Sequence, residues 1–168
     1  MTLTLILIRH AKSSWANAGQ DDHARPLNPR GRTDAPRVGA WLAAQGHIPD
    51  LVLCSDAART RETLALILPA LPRNPQVSHH AALYHAAPQT MLDILHGADS
   101  PCVAMVGHNP GIGALAAGLL TTSPDHPRFA DYPTAATTVM TFAAPEWRAV
   151  TPGTGTLLGF TIPHDLAD

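Results

Sequence analysis

Four side chains at the ends of three apolar runs could do chemistry on a phosphoryl group. The run Thr4 to Ile8 ends in Arg9-His10, and Leu51 to Ser55 leads into Asp56-Ala57-Ala58-Arg59. Cys102 to Val106 leads into Gly107-His108-Asn109-Pro110-Gly111. A guanidinium fork binds tetrahedral oxyanions bidentately, and a neutral imidazole can attack phosphorus. Arg9, His10, Arg59 and His108 therefore form a candidate catalytic set, with His10 as nucleophile. Arg59 and Arg61 fall in the first turns of a predicted helix, where cations are disfavoured unless an anion joins them. Each residue alone has a plainer explanation. A histidine after a strand is usually a hydrogen-bonded or surface group, Arg61 reads as a solvated helix charge, and Asn109 could simply cap the helix that follows. Ser13 and Asn109 are candidate phosphate contacts with equally good turn or capping roles, and Trp15 is the aromatic expected to wall the cleft.

These residues converge only if the apolar runs share one sheet. Five strands are expected, at Thr4 to Ile8, Leu51 to Ser55, Cys102 to Val106, Thr137 to Phe142 and Thr156 to Ile162. Helices are expected at Gly31 to Gln45, Ala57 to Leu68, Gln89 to His96 and Gly111 to Leu120. Ala35, Val38, Trp41 and Leu42 give the first helix one apolar face, and Gly46 stops it. Pro69 ends the second. Helical crossovers between strands predict an α/β fold, a three-layer α/β/α sandwich with a mostly parallel central sheet. In such sheets the crevice at the carboxyl ends of the strands takes the ligand, which is where Arg9, His10, Arg59 and His108 belong. The prolines punctuate connections such as 69–75 and 124–133, so residues 1–168 read as a single domain.

At 168 residues the chain can bury a sizeable core. Apolar residues make up 45% and charged residues 14%, a globular balance, and the formal charge of -2 carries no basic excess for a nucleic-acid backbone. Leu3 to Ile8 is too short for a signal segment or a membrane span. Cys54 and Cys102 read as reduced core thiols in buried strands, and the location expected is cytoplasmic. The other eight histidines, His79-His80 among them, lack the spacing of metal ligands and are expected on the surface or in loops. No metal and no cofactor is called for.

The blocks Arg9-His10-Ala11-Lys12-Ser13, Ser55 to Thr63 and Gly107-His108-Asn109-Pro110-Gly111, in that order, resemble the histidine phosphatase (phosphoglycerate mutase-like) superfamily. Arg9 to Trp15, Arg25-Pro26-Leu27 with Gly31, and Tyr132-Pro133-Thr134-Ala135-Ala136 resemble its SixA-like phosphohistidine phosphatase branch. The resemblance implies that His10 becomes phosphorylated, that Arg9 and Arg59 hold phosphoryl oxygens, that His108 donates to them, and that water hydrolyses the intermediate.

The chain departs from the family pattern where many relatives supply a glutamate acid, because Leu83 to Thr90 contains no carboxylate. A phosphohistidine substrate suffers least from that loss, since its imidazole can leave after protonation near neutral pH. His85, Asp21 and Asp22 are the substitute acids to consider. Short connections suggest an open cleft that admits a phosphorylated protein as partner. The alternatives are a broad phosphomonoesterase for small phosphorylated molecules and a phosphate-dependent binding module without turnover. A monomer is the default.

Overall fold

The computed structural model describes residues 2–167. Six strands form one sheet: β1 (Leu3–Arg9), β2 (Leu51–Ser55), β3 (Gln76–His80), β4 (Cys102–Gly107), β5 (Thr137–Phe142) and β6 (Thr156–Thr161). Their order across the sheet is β3-β2-β4-β1-β5-β6. The first four pair in parallel, while β5 and β6 run antiparallel at one side. The helices are α1 (Pro29–Gln45), α2 (Ala58–Ile67), α3 (Pro88–His96), α4 (Gly111–Leu119) and the short α5 (Pro163–Leu166).

Strand alternation sorts the core into two layers. Leu3, Leu5 and Leu7 of β1 pack with α3 and α4 through Met91, Leu95, Ile112 and Leu115. Ile6 and Ile8 face the other way, onto Ala35, Val38 and Leu42 of α1 and Leu64 and Ile67 of α2. Side chains two apart share a face, so a strand buried on both sides reads as a continuous apolar run. Local chemistry fixes α1: the Asn28 side chain accepts from the Gly31 N–H at 2.9 Å, Pro29 opens the helix, and Gly46 closes it at φ 75°.

Three details differ from the sequence expectation. β3 is not among the five expected strands, because Gln-Val-Ser-His-His offers one strongly apolar residue; it is an edge strand paired with β2, where half-exposed polar residues are tolerated. His79 and His80 therefore lie in an edge strand, with His79 exposed at the surface as expected and His80 half-buried. Cys102 is only half-buried at the start of β4, unlike the fully buried Cys54; both are free thiols. α1 begins two residues early, at Pro29.

Candidate active site

The carboxyl ends of β1, β2 and β4 converge as expected. The backbone of His10 is clamped on both sides: its N–H donates to Gly107 O at 3.0 Å, and its carbonyl accepts from Ala135 N at 2.9 Å. The next amide, Ala11 N–H, donates to Thr63 Oγ1 at 3.0 Å, which ties the loop after His10 to α2. Thr60 donates back to the carbonyls of Ser55 and Ala57, fixing the turn that launches Arg59. The loop after His10 also rests on α1, where a Cβ at Gly31 would lie 2.2 Å from Lys12 O, so only glycine permits the approach.

The side chains meet in a cleft of about 340 Å³ whose lining includes Arg9, His10, Lys12, Arg25, Arg59 and His108, with Asp22 its single carboxylate among the described residues. A larger groove of about 770 Å³ runs along α2 and β3 but holds none of Arg9, His10, Arg59 or His108. Volume and the candidate residues thus part company, since the candidate set lines the smaller cleft.

His10 is 6% exposed, and its Nδ1 lies 2.7 Å from Ala11 O. A carbonyl only accepts, so the proton sits on Nδ1 and the lone pair is on Nε2. Burial first, then the charges of Arg9, Arg59 and Arg25, push this imidazole down to about 3 despite the Ala11 bond, so it is neutral at pH 7. His108, whose ring centroid is 5.3 Å from that of His10, is likewise pushed down to about 3 by burial and then by His10 and Arg59. Its Nε2 lies 2.8 Å from Ser55 Oγ, and its buried Nδ1 has no partner among the described residues. If Ser55 donates to Nε2, Nδ1 carries a proton it can offer to an oxyanion.

Arg9 NH1 donates to Tyr132 O at 3.1 Å, and burial followed by the Arg59 charge lowers its pKa from the ordinary arginine value. Arg59, buried among α2 and the loop after β1, donates to the carbonyl of Asp22 at 2.8 Å and to its Oδ2 at 3.1 Å. A local anion thus already sits beside the cation at the helix start.

The remaining expectations divide. Ser13 lines the cleft, with Oγ accepting from Arg25 NH2. Trp15 lines it too, but as a surface aromatic at 73% exposure, with the Arg25 guanidinium 3.5 Å from its ring centroid. Asn109 borders the cleft while its amide works structurally: Oδ1 accepts from Gly113 N, and Nδ2 donates to the carbonyls of Asp131 and Tyr132. Asp21 is exposed and lies outside the cleft lining. Asp22 is held well below the usual carboxylate range, first by the Tyr84 hydroxyl and then by His85 and Arg59, so it is an anion rather than a proton donor. Sequence reasoning missed Lys12, Arg25, Ser55 and Tyr84 as parts of this arrangement. Membership of the quoted blocks, and for Tyr84 of Leu83 to Thr90, was their only signal.

Among the described residues, three non-glycine residues have positive φ: His85 at 52°, Tyr132 at 45° and Ala135 at 61°. All three lie in loops at the cleft or beside it, and local strain of this kind gathers where a site dictates the backbone.

Imidazoles and guanidinium groups at the carboxyl edge of a mostly parallel sheet suit a phosphoryl group. Comparison with known proteins agrees. Residues 5–84 match the histidine phosphatase superfamily (branch 1). An uncharacterized protein of Mycobacterium tuberculosis is 37% identical over 164 residues, covering 94% of this chain and 100% of that one. Among solved structures, a protein of Nakamurella multipartitia assigned as the phosphohistidine phosphatase SixA superposes with TM-score 0.78 at 31% identity, covering 97% of each chain. Its counterpart from Agrobacterium tumefaciens gives TM-score 0.78 at 27% identity, over 96% of this chain and 98% of that one. The chain belongs to the histidine phosphatase superfamily. No helix among the described residues is long and apolar enough to cross a membrane.

Proposed function

We propose that the chain, as a single histidine phosphatase domain over residues 1–168, removes phosphate from phosphohistidine on a protein through a covalent intermediate on His10. One observation carries this reading. The Nδ1 proton of His10 is committed to Ala11 O, which leaves Nε2 unprotonated in a cleft of four cations. In the first step Nε2 bonds to phosphorus while the bond from phosphorus to the substrate nitrogen breaks and that nitrogen takes a proton. In the second, a water oxygen bonds to phosphorus, the bond to Nε2 breaks, and inorganic phosphate leaves.

Arg9 and Arg59 hold the phosphoryl oxygens, and His108 donates from Nδ1 as negative charge shifts onto them. Buried donors aimed at developing charge are the strongest catalytic device available to such a site. Ser13, Asn109 and Trp15 border the substrate. The SixA-named neighbours support phosphohistidine as the substrate class. The free thiols of Cys54 and Cys102 accord with a cytoplasmic location.

The test is turnover of a phosphohistidine-bearing protein beside a panel of sugar phosphates. Faster release of phosphate from the protein is expected; brisk hydrolysis of sugar phosphates with an inert phosphoprotein would overturn the substrate assignment.

A further inference from the structure

The proposed reaction leaves one requirement unassigned: the atom that departs from phosphorus must receive a proton. His10 and His108 are both neutral near pH 7, and the Asp22 carboxyl is an anion. None of the three is an acid at that pH, because a neutral imidazole N–H donates a hydrogen bond without giving up its proton.

A third imidazole lines the same cleft. The left-handed backbone at His85, φ 52°, brings its ring to 5.2 Å from that of His108 and 4.2 Å from that of Tyr84. Its Nε2 lies 3.1 Å from Asp22 Oδ2, which also accepts from the Tyr84 hydroxyl and from Arg59. An ionised carboxylate only accepts, so the bond places a proton on Nε2 and leaves Nδ1 as the nitrogen that can gain and lose one. The turn is pinned by a second close approach, since a Cβ at Gly111 would lie 2.0 Å from Ala86 O. The His85 side chain is 51% exposed, so it can both meet a substrate and exchange protons with water.

We propose that His85 is the general acid that protonates the departing atom, with Asp22 and Tyr84 as the groups that position its ring. The inference rests on the covalent His10 reading and adds the proton path. As Nε2 of His10 bonds to phosphorus and the leaving atom departs with its electron pair, that atom takes the Nδ1 proton of His85. In the second step Nδ1 takes a proton from the attacking water while the bond between phosphorus and His10 breaks, which restores both residues. The substrate class widens accordingly. With a proton supplied, phosphomonoesters with basic leaving oxygens come within reach beside phosphohistidine.

The experiment compares phenyl phosphate, whose leaving oxygen needs a proton, with p-nitrophenyl phosphate, whose leaving oxygen needs it far less. His85→Asn removes the acid and suits a left-handed backbone; His85→Ala is the second variant, and melting curves of both establish folding. The expected loss in kcat/KM is about 100-fold or more on phenyl phosphate and under about 10-fold on p-nitrophenyl phosphate. Equal losses on the two substrates would overturn the assignment.

The groups facing His85 are Asp22 from the loop after β1, Tyr84 beside it, His108 from the end of β4, and Arg59 of α2 acting through Asp22. Asp22→Asn removes the only carboxylate among them and frees the His85 ring, so its loss in kcat/KM should be larger on phenyl phosphate than on p-nitrophenyl phosphate. Equal losses on the two substrates overturn the positioning role of Asp22. Acid-labile, alkali-stable label on His10 from p-nitrophenyl phosphate is expected in wild type and in His85→Asn. Its absence from wild type overturns the His10 reading itself, whereas label with equal losses overturns only the role of His85.

Discussion

Neutrality of His10 and His108 has a consequence for the stability of the whole fold. Both imidazoles fall from an ordinary value of 6.5 to about 3 on folding, chiefly through burial. Between those values the unfolded chain binds protons that the folded chain refuses, so stability must fall as pH drops from 6.5 toward 3 and level off below. At about 1.36 kcal/mol per pH unit per proton, moving from pH 7 to pH 5 should remove about 2 kcal/mol for each histidine. Mutual repulsion and relaxation make about 2 to 4 kcal/mol reasonable for the pair, against a typical total of about 5–15 kcal/mol. Urea unfolding at pH 7 and pH 5 measures this, in buffer without phosphate, because a bound anion would stabilise the fold by mass action. The His10→Gln/His108→Gln double variant removes the two titrating groups and should lose correspondingly less between the same pH values. A double variant whose stability falls as steeply as that of wild type would refute the reasoning.

Other perturbations read separate parts of the architecture. Arg59→Lys keeps the charge but loses the fork that spans Asp22 and the cleft, so kcat/KM should fall about 100-fold with little change in melting temperature; steady-state kinetics beside a thermal melt checks it. Gly31→Ala forces a methyl against Lys12 O and should cost about 1–3 kcal/mol together with activity, measured by urea unfolding and turnover. Tyr132→Phe leaves the packing of a buried ring but removes its bonds to Leu7 O and Thr138 Oγ1, an expected loss of about 1–3 kcal/mol in the same unfolding assay.

The sequence made the convergence of Arg9, His10, Arg59 and His108 legible because each follows a run of apolar residues that only a buried strand explains. Such runs announce the strand and hence its carboxyl end. β3 escaped because an edge strand needs no apolar alternation. Tyr84 and Arg25 escaped for another reason: their roles rest on contacts between loops distant in sequence, such as the bond from Tyr84 to Asp22 across 62 residues. Asp22 was readable as a candidate acid, yet the three donors around its carboxylate make it the opposite, and only geometry supplies donors. The tautomer of His10 likewise depends on where Ala11 O points, which no residue pattern encodes.

Rapid quenching during turnover, followed by peptide mapping under alkaline conditions, tests the central claim most directly. The account predicts a phosphoryl group on the imidazole of His10 that survives base, is lost in acid, and forms and decays fast enough to carry turnover. Steady hydrolysis with no phosphorylated enzyme at any time, or with the label on another residue, would contradict it.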